Sequence, residues 1–197
     1  MSRALPHLAR KVFNRIRYRL FVNETLILFE HDMHTHQETA AAIEHITPEN
    51  VSDVLDFQPP RYKSRFEEFM LRGDTGYYAY LQGRCVHRSW VVHTPRTVHL
   101  HPLLPRRLEE GEAFIHYCET APGARGLNIY PAVLSRIAED FRKTGRSRRL
   151  LISTNARNES SIKGILRSGF KEIERVHVMA LLGFTCKRST GLLSSGI

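Results

Sequence analysis

The stretch ETAPGARGLNIYPAVLSRI, residues 119–137, carries the most pointed chemistry in the chain. A β-rich run breaks at Pro122 and passes through Arg125-Gly126 into the start of a helix. That leaves several backbone N–H groups without intrahelical partners, facing outward at the positive end of the helix dipole. Glycine lets the backbone come close to a phosphate, and arginine adds a permanent charge on a planar fork of donors. The pattern describes an anion site.

Other groups compete for attention. His93, His99 and His101 form the densest histidine group, and the last two share a face if the segment is extended. No carboxylate accompanies them as a further ligand, so no metal is expected. Cys85, Cys118 and Cys186 are an odd number at scattered spacing with no CxxC pair, which signals neither a disulfide framework nor a zinc site and fits a reducing cytosol. The run RKTGRSRR, residues 142–149, holds five basic residues in eight. It reads either as a solvated loop or as a contact for phosphate or an acidic partner.

These groups need elements to position them. TLILFEHD (25–32) is a short apolar run typical of a strand, and ITPENVSDVLDF places a helix over 48–57 with Thr47 as N-cap and Pro48 at its first position. YKSRFEEFMLR (62–72) is a second helix stopped by Gly73, and two β-rich runs around Gln82-Gly83 form a hairpin. The connection from Thr94 to Glu110 carries TVHLH as an edge strand, and EAFIHYCET (112–120) is the next strand. Ile129, Val133, Leu134, Ile137 and Phe141 give a helix ended by Gly145; RRLLISTNA is a strand, NESSIKGILRSGF a helix capped by Asn158, and KEIERVHVMALLGF a closing strand. The order predicts a mixed α/β domain around one sheet.

With 197 residues, 42% of them hydrophobic, the chain has material for one domain of ordinary size. The expected division is an amphipathic basic extension over 1–24, the body over 25–185 and a frayed tail over 186–197. Leu5, Leu8, Val12, Phe13, Ile16 and Leu20 recur at helical spacing within the extension. Arg3, Arg10, Lys11, Arg15, Arg17 and Arg19 all precede the first acid, Glu24, and the net charge is +9. Such a field draws anionic partners without identifying them. With no apolar run of spanning length, a soluble cytoplasmic protein is expected, with the basic helix as its possible attachment to an anionic membrane surface.

PGARGLNIYPAVL, followed about thirty residues later by NESSIKGILRSGF, resembles the two signature blocks of the GCN5-related N-acetyltransferase (GNAT) superfamily. The element order is also similar, from about Thr25 to Phe184. The resemblance implies a GNAT fold, a mostly antiparallel mixed sheet flanked by helices, and an N-acyltransferase using acetyl-CoA or another acyl-CoA. It implies that the amides of Arg125, Gly126, Leu127, Asn128, Ile129 and Tyr130 hold the coenzyme pyrophosphate. The strand end at Cys118, Glu119 and Thr120 would splay from LLISTNA and pair with the pantetheine amides. Asn155 or Asn158 would contact the same arm. Asn128 replaces the second loop glycine, Tyr130 the third small residue, and Ile165 a tyrosine that many members use to return a proton to the departing thiolate.

Acyl transfer requires an uncharged amine and hence an acceptor for its proton. Residues 112, 114, 116, 118 and 120 share one face of a regular strand, which brings forward His116 and Glu112 as candidate bases. The expected acceptor is a small-molecule amine, and the basic balance favours an anionic one such as an amino-sugar nucleotide. A longer acyl chain, an acidic acyl carrier protein as donor, and a non-catalytic coenzyme-binding module remain open. Nucleic acid ranks last, because the basic stretches lack interleaved aromatics.

Overall fold

Alternation of side chains along the strands decides the layers, because one parity of each central strand meets helices and the other meets a second apolar cover. The computed structural model describes residues 21–31, 40–181 and 184–191. The elements in chain order are β1 (Phe21–His31), β2 (Ala42–His45), a 3-10 helix (Val51–Asp56), α1 (Arg61–Leu71), β3 (Thr75–Leu81) and β4 (Arg84–Val92). They continue with β5 (Thr97–His101), β6 (Leu104–Arg107), β7 (Glu112–Thr120), a second 3-10 turn (Pro122–Ala124), α2 (Ile129–Thr144), β8 (Arg149–Asn155), α3 (Glu159–Arg167), β9 (Phe170–Leu181) and β10 (Phe184–Gly191).

Eight strands form one sheet in the order β10-β9-β1-β8-β7-β4-β3-β2, antiparallel throughout except for the parallel pair β7 and β8. On one face, α2 and α3 pack Ile129, Val133, Leu134, Ile137, Phe141 and Ile165 against Ile27, Phe29, Ala113, Ile115 and Ile152. On the other, Val51, Val54, Phe66 and Phe69 cover Tyr78, Cys85 and Trp90. The β5–β6 hairpin covers the rest of that face with Val98 and Leu108 against Leu28, Phe114 and Leu151.

The mixed α/β sheet expected from the sequence is present, with four differences. TVHLH pairs with Leu104–Arg107 in its own two-stranded sheet instead of joining the main one. The helix expected over 48–57 is a 3-10 helix from Val51: Asn50 Oδ1 accepts from the Thr47 N–H at 2.8 Å, closing a turn where Thr47 was to cap a helix. Strand β2, four residues at the edge of the sheet, is not among the elements the sequence predicts. The tail expected to fray from Cys186 is paired with β9 as far as Gly191. The N-terminal amphipathic helix lies outside the described residues, and β1 already begins at Phe21, ahead of the boundary expected after residue 24. Elsewhere local chemistry held: Gln82 and Gly83 both take positive φ, 52° and 75°, which two-residue hairpins of primed type require. Among the described residues, no helix is long and apolar enough to cross a membrane.

At its first residue, β7 is clasped to β8. The Glu112 carboxylate is 4% exposed and accepts from Arg149 Nη1 at 2.7 Å, Arg106 Nη2 at 3.0 Å and the Glu109 N–H at 3.2 Å. Arg149 also reaches Glu30 on β1 at 2.8 Å, so three neighbouring strands are tied at this end. Removing a buried carboxylate strands its arginines, a loss softened here because Arg149 is partly in water. Glu112→Ala should therefore lower unfolding stability by about 1–3 kcal/mol in a urea titration. The helix face and the far end of β7 should keep their native circular dichroism.

Candidate functional site

Parallel pairing of β7 with β8 covers Glu112–Arg149, Ala113–Leu150, Phe114–Leu151 and Ile115–Ile152, and the register ends there. Beyond Ile115 the strands part, as the sequence reading expected for Cys118, Glu119 and Thr120. The cause lies on the other edge of β7. His116 faces Trp90 and Glu119 faces Arg88, so Tyr117 and Cys118 together stand against the single residue Ser89. This is a β-bulge, and Tyr117 takes a φ of 55° in it.

The bulge overturns the expectation that residues 112 to 120 alternate regularly. Up to His116 the even residues face α1: the His116 ring lies 5.2 Å from that of Phe69. After the bulge the parity is reversed, with Cys118 packed against the α2–α3 core and Thr120 Oγ1 2.7 Å from His87 Nδ1. Arg88 holds the irregularity in place. It is 3% exposed, donates to the Tyr117 carbonyl and, at 2.6 Å, to Glu119 Oε2, and its guanidinium lies 4.5 Å from the Tyr62 ring centroid. Cation–π contact with an aromatic face suits a desolvated arginine. The sequence reading missed Arg88, since an arginine in an alternating strand reads as solvent-facing.

The parted strands open a cleft of about 760 Å³. Its wall includes His116, Cys118, Glu119, Thr120, Arg125, Gly126, Asn128, Ile129, Tyr130 and Asn158 from the expected set. Lys163, Arg167, Ser160 and Ser161 of α3 also line it and were not foreseen. Leu127, 53% exposed, is not on the wall. Asn155 is turned elsewhere: its Nδ2 donates to Glu24 at 3.0 Å and its Oδ1 accepts from the Arg157 N–H at 2.9 Å. Of the two candidate asparagines the cleft therefore has Asn158, which also caps α3 by accepting from Ser161 N–H at 3.2 Å. Glu112 sits at the clasped end of β7, four residues from His116 and with its oxygens engaged, so it is no base for this cleft.

The loop entering α2 has the conformation its residue types predict. Gly126 takes φ 81° and Asn128 takes φ 59°, and asparagine tolerates the left-handed region better than other side-chain-bearing residues. No side chain caps α2, and its first residues Ile129 and Tyr130 line the cleft. A Cβ placed on Gly126 would meet nothing within 4 Å, which means the loop is open on that side. Arg125, Lys163 and Arg167 make the surroundings basic. The bulk of Tyr130 is absorbed by α3: a Cβ on Gly164 would come within 2.7 Å of Tyr130 Cδ1, so the missing side chain makes room for the ring. Its hydroxyl, 3.5 Å from Ser161 Oγ, is held protonated by burial, which raises its pKa well above the usual value.

Burial governs the remaining titratable groups. His87 is fully buried, its Nδ1 on Thr120 and its Nε2 2.8 Å from Ser89 Oγ, and burial with Arg88 alongside pushes its pKa down to about 3. His116 is mostly enclosed by the rings of Phe69, Phe114 and Tyr117, and its Nε2 has no partner among the described residues. Burial first, then Arg96 and Arg88, lower it to about 4. Burial raises Cys118 to about 11, so it remains a thiol and a poor nucleophile. Among the described residues no group of three or more histidines, cysteines or carboxylates is placed to hold a metal.

No protein-family model matches the sequence, and no curated protein sequence matches it. Similar solved structures exist. An acetyltransferase from the GNAT family of Colwellia psychrerythraea superposes with a TM-score of 0.57 at 14% identity, covering 87% of this chain; the chain spans only 60% of that protein's length. A protein of the GNAT family from Novosphingobium aromaticivorans, named as an acetyltransferase by assignment only, gives 0.52 at 14% identity over 82% of this chain and 67% of its own. The aminoglycoside N-acetyltransferase AAC(6')-Iy, in complex with the bisubstrate analogue CoA-S-monomethyl-acetylneamine, gives 0.53 at 13% identity over 68% of this chain and 92% of its own. The fold is therefore that of the GNAT acetyltransferases.

The buried histidines set a pH dependence. An unfolded chain protonates them near pH 6.5, whereas the folded protein keeps His87 neutral down to about pH 3. Stability is thus full above pH 6.5 and is lost as pH falls towards the folded value. Between pH 6.5 and 4.5 the wild type should lose about 2 kcal/mol more than His87→Gln, compared by urea midpoints at each pH. Equal losses in the two proteins would contradict a neutral His87.

Proposed function

We propose that the protein is an N-acyltransferase that moves an acyl group, most simply acetyl, from a coenzyme A thioester to a primary amine. The observation that carries this reading is the parting of β7 from β8 beyond Ile115–Ile152 beside the uncapped start of α2. One supplies unpaired strand edges for an amide-bearing arm, the other N–H groups and positive dipole for its phosphates. The co-crystallised analogue of AAC(6')-Iy, which carries a coenzyme A portion, lends support from a protein of the same fold.

In this reading the amides of Gly126 to Tyr130 bind the pyrophosphate, with Arg125, Lys163 and Arg167 adding charge. Strand edge Cys118–Thr120 orients the pantetheine arm and Asn158 contacts it. Backbone N–H groups at the Tyr117 bulge polarise the thioester carbonyl and steady the oxyanion formed when the amine attacks. The C–N bond forms first, collapse of the oxyanion then breaks the C–S bond, the proton on nitrogen goes to solvent, and the departing thiolate takes a proton from solvent. His116 accepts a hydrogen bond from the amine and stays neutral, because a base depressed to about pH 4 is poorly matched to proton removal at neutrality. Ile165 is fully buried in the core and takes no part.

The acceptor is proposed to be a small anionic amine, in keeping with the net charge of +9. An acyl carrier protein in place of coenzyme A, or a longer acyl chain, is a variant of the same chemistry. A non-catalytic coenzyme-binding module is the second reading, favoured by the low basicity of His116 and by Ile165.

Isothermal titration with acetyl-CoA, free CoA and a longer acyl-CoA tests the site. Micromolar binding is expected, and Gly126→Glu should abolish it by placing charge and bulk at the phosphates; undiminished affinity in that variant would sink the loop assignment. Tight binding with no turnover on any amine favours the module. Turnover, where present, should rise with pH along the ionisation of the amine. An inflection near pH 6.5 that disappears in His116→Gln would instead make His116 the base.

A further inference from the structure

The face of the sheet that carries α2 and α3 continues past α3 onto β1, β9 and β10, where apolar side chains stand in register. Phe21, Leu181 and Phe184 face one another across the three strands, and Asn23, Met179 and Cys186 form the next row on the same side. Phe21 is 61% exposed, Leu181 60%, Phe184 84% and Met179 46%. The reverse side of this corner is an ordinary core: Val22, Val176, Val178 and Ala180 are buried with Leu103 and Leu104 of the β5–β6 hairpin against them. A solvated antiparallel face normally carries polar residues, and grouped apolar exposure marks an interaction surface.

We propose that this surface is the dock for residues 4–20 of the same chain. Three observations agree on that occupant. The segment joins the sheet at Phe21, itself a member of the patch, so docking is intramolecular and favoured by high effective concentration. Its apolar residues Leu5, Leu8, Val12, Phe13, Ile16 and Leu20 fall within one side of a helix at about 100° per residue, with Arg3, Arg10, Lys11 and Arg17 on the other, Arg15 at the border and Arg19 on the apolar side, where its long stem can carry the charge outward. Its reach permits contact: a helix rises about 1.5 Å per residue, so Phe13 lies roughly 12 Å along the segment from Phe21. Cys186 is two strands across and two residues along, also about 12 Å away. Docking buries the exposed row and leaves Arg3, Arg10, Lys11 and Arg17 outward. This inference is independent of the coenzyme reading.

Cys186 is a natural reporter, being the exposed thiol on the patch while Cys85 is buried and Cys118 half-buried in the cleft, and its label is read separately by peptide mass. Two measurements use the full chain. In Phe13→Cys an oxidant should form an intramolecular disulfide with Cys186, whereas Asn14→Cys, on the basic side, should form little. Alkylation of Cys186 should be at least about tenfold faster in the double variant Leu8→Asp, Val12→Asp than in the wild type, because the stripe no longer holds the patch closed. Equal alkylation rates together with equal crosslinking at positions 13 and 14 overturn the proposal. So does a crosslink found only in dimers, which assigns the patch to a second copy. Protection of Cys186 that appears only on adding phosphatidylglycerol vesicles overturns it in favour of a lipid surface.

Discussion

A single buried arginine sets the shape on which the cleft depends. Were β7 regular, its residues after Ile115 would go on pairing with β8, and the sheet would close where the cleft now opens. Arg88 binds the Tyr117 carbonyl and the Glu119 carboxylate from the neighbouring strand and lies against the Tyr62 ring. A buried guanidinium is costly unless its donors are met, so the irregular backbone and the charge stabilise each other. The cation fixes the bulge, and the bulge supplies the carbonyl that the cation needs.

The two ends of β7 thus have opposite tasks. At one end, Glu112 with Arg106 and Arg149 keeps the parallel pair shut. At the other, the bulge reverses which side chains face which layer, and the strand leaves its partner. Helix α2 begins directly beyond this opening, so the backbone donors freed by the helix start and the edges freed by the splay border the same space. Irregular pairing at one end of β7 and a clasp at the other leave the cleft beside the strand's second half.

Packing around the cleft shows how unusual residues are accommodated. Tyr130, large for its place at the start of α2, fits because Gly164 on the facing helix has no side chain. Histidines near the site are kept neutral by burial, and Cys118 is kept a thiol by the same cause. The polar chemistry of the site therefore rests on backbone N–H groups and on permanent arginine and lysine charges, more than on side chains that titrate near neutrality.

Local rules determined a good deal from sequence alone. The helix and strand order from Arg61 to Leu181 apart from β6, the Gln82-Gly83 turn, the stop at Gly145, the Asn158 cap and the loop from Arg125 to Tyr130 were legible, because each is decided by residues within a turn of one another; β6 and β10 were not. Those residues also pointed to an anion site, and two blocks in the right order pointed to the fold. Three things required the tertiary structure. The insertion of β1 between β8 and β9 depends on pairings more than a hundred residues apart, for which no local pattern exists. The bulge depends on Arg88, whose partners come from another strand and helix; it changed the side on which Cys118 and Thr120 lie. The fates of Glu112 and Asn155 were set by distant partners, Arg149 and Glu24. Spacing along a chain tells which groups share a face only while the strand stays regular, and here long-range contacts made it irregular at the one place where the site is built.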